Sequence, residues 1–258
     1  MNKKWAKISA VCVLFGVLAF AGCVEPVRYP EIVGELPSIV FPAQYRIVGT
    51  SVQQRPIMCL VLGDGSDITF ILATIHGNED AGTPLVRRLS WYLRQRPSML
   101  TGRKVVLMAV ANPDGMANRT RNNAKGIDLN RNFEAVNRVN TKETGLTALS
   151  EPEARVLRQV IMQYKPDRIV SIHQPLNCID YDGPARMLAN RMGQYCDLPV
   201  KKLGARPGSL GSYAGVTLGI PIITFEMLQA DSQLNSETLW QKYGRALLAA
   251  ILYPDPAL

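Results

Sequence analysis

Apolar, β-branched runs recur along the chain at 57–62, 68–75, 104–111, 168–172 and 220–225, and each has the length and composition of a strand. Between them the spacing of apolar positions changes to a helical one. Leu85, Leu89, Tyr92 and Leu93 share one helical face, Leu157, Val160, Ile161 and Tyr164 a second, and Leu239, Tyr243, Ala246, Leu247 and Ala250 a third. Ser150 with Glu153 has the spacing of a capping box opening the second helix. Runs without apolar/polar alternation suit strands covered on both faces. The expected fold is therefore α/β: one domain with a mostly parallel mixed sheet and helices on both faces. Sites in such sheets form at the carboxyl ends of strands, where His76, His173 and Glu226 fall.

The pattern differs at the N-terminus. Lys3, Lys4 and Lys7 precede an uncharged apolar run over 8–21, too short to span a bilayer, so residues 1–22 read as a signal peptide. Phe20-Ala21-Gly22-Cys23 resembles a bacterial lipoprotein box with Phe20 in place of the usual Leu, which makes Cys23 the expected lipid anchor. An ordinary signal peptide with a coincidental Cys23 is the alternative. By the same resemblance, Val24 after the cysteine favours the outer membrane, so the expected location is the periplasm. Residues 23–45 carry Pro26, Pro30, Pro37 and Pro42 with little periodicity and read as a stiff tether. Residues 46–258 then form one domain with one large core.

Charge and cysteine content narrow the partners. Loss of residues 1–22 removes three lysines and no acids, so the net charge falls from +8 to +5. No run of Lys and Arg is interleaved with aromatics, which excludes nucleic acid as the expected partner. Beyond Cys12 and Cys23, Cys59, Cys178 and Cys196 allow one disulfide at most, with Cys178 and Cys196 a candidate pair. Oligomeric state leaves no mark in the sequence.

The chemistry concentrates around the chain's two histidines. His76-Gly77-Asn78-Glu79 closes the second apolar run with an imidazole, a tight turn and a carboxylate. With His173, these groups match a catalytic zinc site of two histidines and one acid that leaves a fourth position for water. A second cluster begins with the turn signal Asn112-Pro113-Asp114-Gly115 and continues through Arg119, Arg121 and Arg131. Guanidinium is a permanent fork of donors, suited to a carboxylate or a polarised carbonyl. Arg121 and Arg131 are the functional candidates, and Arg119 reads as solvated surface.

These pieces occur in an order similar to that of the zinc carboxypeptidase family: His76-Gly77-Asn78-Glu79, Asn112-Pro113-Asp114-Gly115, Arg121, Asp128-Leu129-Asn130-Arg131-Asn132-Phe133, Ser171-Ile172-His173 and Thr224-Phe225-Glu226. The resemblance covers most of residues 60–230. It implies one Zn2+ per chain on His76, Glu79 and His173, Arg121 polarising the scissile carbonyl, Asn130 and Arg131 holding a terminal carboxylate, and Glu226 as general base. Burial after the apolar run would raise the pKa of Glu226, as a base requires. A strand-end salt bridge is the alternative for Glu226 taken alone.

One departure points to a branch of that family. No tyrosine occupies the loop Leu203-Gly204-Ala205-Arg206-Pro207-Gly208, where digestive carboxypeptidases carry one. The run Pro207-Gly208-Ser209-Leu210-Gly211-Ser212-Tyr213-Ala214-Gly215 instead resembles the murein peptide amidase A branch. That resemblance implies hydrolysis of the γ-D-glutamyl-meso-diaminopimelate amide in peptidoglycan-derived peptides. Tyr213 reads as a packing residue, and Arg206 is open between an acidic substrate and solvent. The alternatives are an ordinary metallocarboxypeptidase on C-terminal peptides, an aspartoacylase-like acylase, against which Ser171 counts, and a non-catalytic lipoprotein that binds wall peptides.

Overall fold

The computed structural model describes residues 43–255. The signal peptide, Cys23 and the tether up to residue 42 lie outside the described residues. Seven strands form one sheet: β1 (Gln44–Thr50), β2 (Pro56–Leu62), β3 (Asp67–Ala73), β4 (Arg103–Met108), β5 (Arg168–His173), β6 (Leu176–Asp182) and β7 (Ile222–Leu228). Their order is β1-β2-β4-β3-β5-β7-β6. The centre, β4-β3-β5-β7, is parallel, while β1, β2 and β6 pair antiparallel at the margins. This is the expected mixed α/β architecture.

Helices α1 (Gly82–Arg94), α4 (Arg186–Gly193) and α5 (Ser236–Leu252) cover one face, and α3 (Pro152–Tyr164) the other; the short α2 (Pro113–Asn118) follows β4. Residues alternate between the two layers as a pleat requires. Leu60 and Leu62 of β2 pack with Leu85 and Leu89 of α1, whereas Cys59 and Val61 pack beside Leu157 and Val160 of α3. The expected strands and helices are present with shifted ends. Strand β7 starts at Ile222, after Pro221, which has no amide hydrogen to donate to a ladder, and runs past Phe225 so that Glu226 lies inside it.

Three local expectations are corrected. Ser150 and Glu153 form no capping box: Pro152 takes the first helical position, Glu151 becomes the cap residue, and Glu153 instead accepts from the Val52 amide (3.0 Å) and the Asn123 side chain (3.2 Å). Asn112-Pro113-Asp114-Gly115 starts a helix rather than a simple turn, because the Asn112 side chain accepts from the Gly115 amide (2.9 Å). Cys59, Cys178 and Cys196 are free thiols. Cys178 lies on the face of β6 opposite to Ile179, while Cys196 packs against the same cluster as Ile179, so the sheet separates the candidate pair.

Candidate metal and active site

The site is built where β3, β5 and β7 lie side by side. Strand β3 ends at Ala73, and Thr74 enters the left-handed region (φ 56°), its hydroxyl bonded to that of Thr83 (2.8 Å). The chain then folds tightly enough for the Glu79 amide to donate to the His76 carbonyl (3.1 Å). Gly77 makes this turn feasible, since a Cβ there would stand 1.9 Å from the carbonyl carbon of Gly115. The Asn112 side chain ties the same turn down through the Ile75 carbonyl (3.2 Å). His173 ends β5, directly opposite Glu226 in the β5/β7 register.

The structure brings the three expected ligands together. His76 Nδ1 and His173 Nδ1 each lie 2.8 Å from a different oxygen of Glu79. One donor atom from each residue lies within 4.8 Å of the others, and all three side chains are buried. His76 Nδ1, although close to Glu79, has no hydrogen-bond partner of acceptable geometry. A buried lone pair without a donor, beside a second imidazole and a carboxylate, is a donor set that fits a divalent transition metal, zinc included. Burial alone would raise the Glu79 carboxyl, but its contacts with His173 and His76 outweigh this and hold it ionised well below the usual carboxylate range.

Asp128 stands in one of the sequence motifs without a role that the sequence alone assigns. Its Oδ1 lies 3.1 Å from His76 Nε2, and its Oδ2 accepts from Arg121 Nε (3.2 Å). A carboxylate on one ring nitrogen fixes the tautomer and turns the other nitrogen toward a metal. The available signal was its position at the head of Asp128-Leu129-Asn130-Arg131. Burial lowers the pKa of His76, yet Asp128 and Glu79 together carry it above its ordinary value.

The remaining expected residues line a cleft of about 240 Å³ around the triad. Arg121 directs Nη1 to Glu79 (2.9 Å) and Nε to Asp128, which leaves Nη2 without a protein acceptor among the described residues. Asn130 Oδ1 accepts from the Leu210 amide (2.8 Å), so its amino group is free to face the cleft. Arg131 is half-buried beside it. In Glu226, Oε2 accepts from the Leu176 amide (3.3 Å) and Oε1 has no protein donor among the described residues. Burial, only partly opposed by His173, pushes this carboxyl above its ordinary value. Tyr213 is buried and stacks on Phe133 (ring centroids 5.7 Å apart), a packing residue. Arg119 is exposed at the end of α2. A second recess, of about 270 Å³ beside Gln44, Gly63 and Lys104, brings none of these groups together.

The sequence profile of the zinc carboxypeptidase family matches residues 34–182. The chain belongs to the zinc carboxypeptidase family. It is a zinc metallopeptidase, and the matched range of this carboxypeptidase includes His76, Glu79 and His173 but ends before Glu226. Murein peptide amidase A of Escherichia coli (strain K12) is 37% identical over 185 residues, which cover 65% of this chain and 74% of that protein. Murein peptide amidase A of Vibrio campbellii is 29% identical over 253 residues, 91% of this chain and 90% of the other. The crystal structure of murein-tripeptide amidase from Escherichia coli O157 superposes with a TM-score of 0.63 at 27% identity, covering 84% of this chain and 95% of that one.

Proposed function

We propose that this zinc carboxypeptidase hydrolyses the γ-D-glutamyl-meso-diaminopimelate amide of peptidoglycan-derived peptides, releasing the terminal diaminopimelate. The observation that carries the reading is that the His76-Glu79-His173 triad, Glu226 and Arg131 open onto one cleft. The similarity to murein peptide amidases supports the substrate class.

His76, Glu79 and His173 would hold one zinc ion, which when bound supplies a Lewis acid and activates water near neutral pH. Glu226 takes a proton from the attacking water at Oε1 and delivers it to the leaving amine, and its raised pKa suits both transfers. The bond from the Leu176 amide fixes the plane of the carboxyl while it does so. Arg121 presents Nη2 to the carbonyl oxygen as negative charge develops, and a single such donor is worth about 3 kcal/mol. Arg131 and the Asn130 amino group bind the carboxylate of the terminal residue, which restricts cleavage to the last amide. The sequence of residues 1–23 supports a periplasmic lipoprotein, held through Cys23 and attached to the outer membrane.

The test is release of diaminopimelate from L-Ala-γ-D-Glu-meso-diaminopimelate by the zinc-loaded full-length chain in detergent, beside Glu226→Gln. Release by the wild type that vanishes in the variant is expected. No release from a preparation holding one zinc per chain overturns the reading. Palmitate labelling that is lost in Cys23→Ser checks the anchor.

A further inference from the structure

The far wall of the cleft has a charge pattern that catalysis does not use. Strand β6 pairs antiparallel with β7 so that Cys178 faces Glu226 and Asp180 faces Thr224. Side chains two apart share a face, so Asp180 lies on the face that carries Glu226, about 7 Å further along the strand. It is 6% exposed and lines the cleft below the triad. Its Oδ1 accepts from the Leu203 amide (2.8 Å), the Tyr181 amide also donates to the carboxyl, and no cation forms an ion pair with the group among the described residues. Its neighbour Asp182 is different, being neutralised by Lys202 Nζ at 2.7 Å. Burial pushes the Asp180 carboxyl above its ordinary value, against the Leu203 and Tyr181 amides and the more distant Lys202, with Asp182 adding to the rise. A buried carboxylate normally has a counter-charge, and here the open side is the substrate cleft.

Arg206 lines the same cleft from the loop that the Leu203 amide bonds to Asp180. It is exposed, and its guanidinium has no hydrogen-bond or ion-pair partner among the described residues. Its charge reaches Arg131, where burial first, and then Arg121 and Arg206 against the opposing Asp128, lower the guanidinium's affinity for its proton. One cleft therefore offers a guanidinium at Arg131, an unpaired acid at Asp180 and a second guanidinium at Arg206. Their complement is a residue with one carboxylate beside the cleaved amide and, at the end of its side chain, an ammonium together with a second carboxylate.

We propose that Asp180 and Arg206 form a subsite for a zwitterionic side-chain terminus, Asp180 binding the ammonium and Arg206 the carboxylate carried on the same carbon. The proposal rests on the hydrolytic reading above and names the residues that select its substrate. Lysine in the terminal position satisfies Asp180 alone, and norleucine satisfies neither. The subsite therefore ranks substrates by side-chain charge rather than by length.

The experiment compares kcat/KM on L-Ala-γ-D-Glu-X, with X as meso-diaminopimelate, L-lysine or L-norleucine, for wild type, Asp180→Asn and Arg206→Gln. Wild type prefers diaminopimelate to norleucine by about 100-fold, the product of two charged contacts. Arg206→Gln lowers the diaminopimelate rate at least tenfold more than the lysine rate. Asp180→Asn brings lysine down to the level of norleucine. Equal loss on all three peptides in both variants, or a wild type indifferent to X, overturns the subsite. Calorimetric titration of the zinc-loaded chain and its variants with free meso-diaminopimelate, L-lysine and L-norleucine reads the subsite without turnover. If no peptide is cleaved, the hydrolytic reading fails, yet the same order of affinities and the same losses in the variants uphold the subsite. Equal affinities overturn it. Arg206 lies on an exposed loop, so its variant keeps the test alive if Asp180→Asn misfolds.

Discussion

Asp128 offers the sharpest test of how the metal site is oriented. Substitution to alanine removes the acceptor 3.1 Å from His76 Nε2, the partner 3.2 Å from Arg121 Nε and the cap on the Asn130 amide (2.9 Å). His76 then loses the contact that points Nδ1 at Glu79, and its ring is free to flip or change tautomer. Removal of an outer carboxylate of this kind weakens metal binding about 10- to 100-fold, equivalent to about 1.4–2.8 kcal/mol. Alanine should reach the upper end, because three contacts vanish together. Asp128→Asn keeps an oxygen for His76 and sheds only the charge, so it should sit near the lower end. The assay is the zinc dissociation constant at neutral pH, measured by competition with a chromogenic chelator, with circular dichroism to confirm folding. A folded Asp128→Ala that binds zinc as tightly as wild type would refute the reasoning.

Other outcomes follow from the surrounding structure. Asp114 is fully buried and accepts from the Ser51 hydroxyl (2.7 Å), the Gln53 amide (2.9 Å) and Arg55 (2.7 Å). Asp114→Ala should cost about 2–3 kcal/mol in urea unfolding, a range set by charge-assisted bonds and discounted for the half-exposed Arg55. Burial would raise the Asp114 pKa, but these bonds depress it. Its contribution to stability is therefore present above the unfolded value of about 4 and lost as pH falls through the folded value. The variant should show a flatter acid limb, and an unchanged one counts against the assignment. Gly77→Ala drives a methyl into the Gly115 backbone, and a loss of about 3 kcal/mol, read as a drop in Tm, is expected. Burial pushes the thiol pKa of Cys59 up to about 12 and that of Cys178 to about 11. Alkylation followed by peptide mass mapping should label Cys196 first in the native protein, with Cys59 and Cys178 labelled only on unfolding; early labelling of Cys59 would contradict its burial.

The parallel centre of the fold is legible in the sequence because its strands are covered on both faces and read as unbroken apolar runs. Of the antiparallel strands at the margins, β2 is legible over 57–62, but β1 and β6 are not. Strand β1 is mostly exposed, so nothing in its side chains announces a strand. Strand β6 buries Asp180 and Asp182 where apolar residues would have marked it, and that breach of the pattern falls at the substrate cleft. His76, Glu79, His173 and Glu226 stand out because each closes or follows an apolar run. Asp128 does not, because a turn carboxylate betrays its target only in three dimensions. Ser150 and Glu153 match a local rule that Pro152 and a long-range bond to Val52 override.

The adjacency of β3, β5 and β7 sets a scale for the chemistry. Neighbouring strands stand about 4.8 Å apart because backbone hydrogen bonds allow no other spacing. The separation between the last ligand, His173, and the base, Glu226, is thus ruled off by a lattice common to all sheets, while His76 sits in the turn just beyond β3. Such a ruler has a single graduation along each strand. If β7 slipped by one residue against β5, Met227 or Phe225 would stand opposite His173 and the carboxylate would pass to the far side of the sheet. The apolar residues that pin β7 beneath α5 and above α3 therefore act as the clamp on that ruler, and a destabilised clamp would abolish activity without the loss of any catalytic side chain from the sequence.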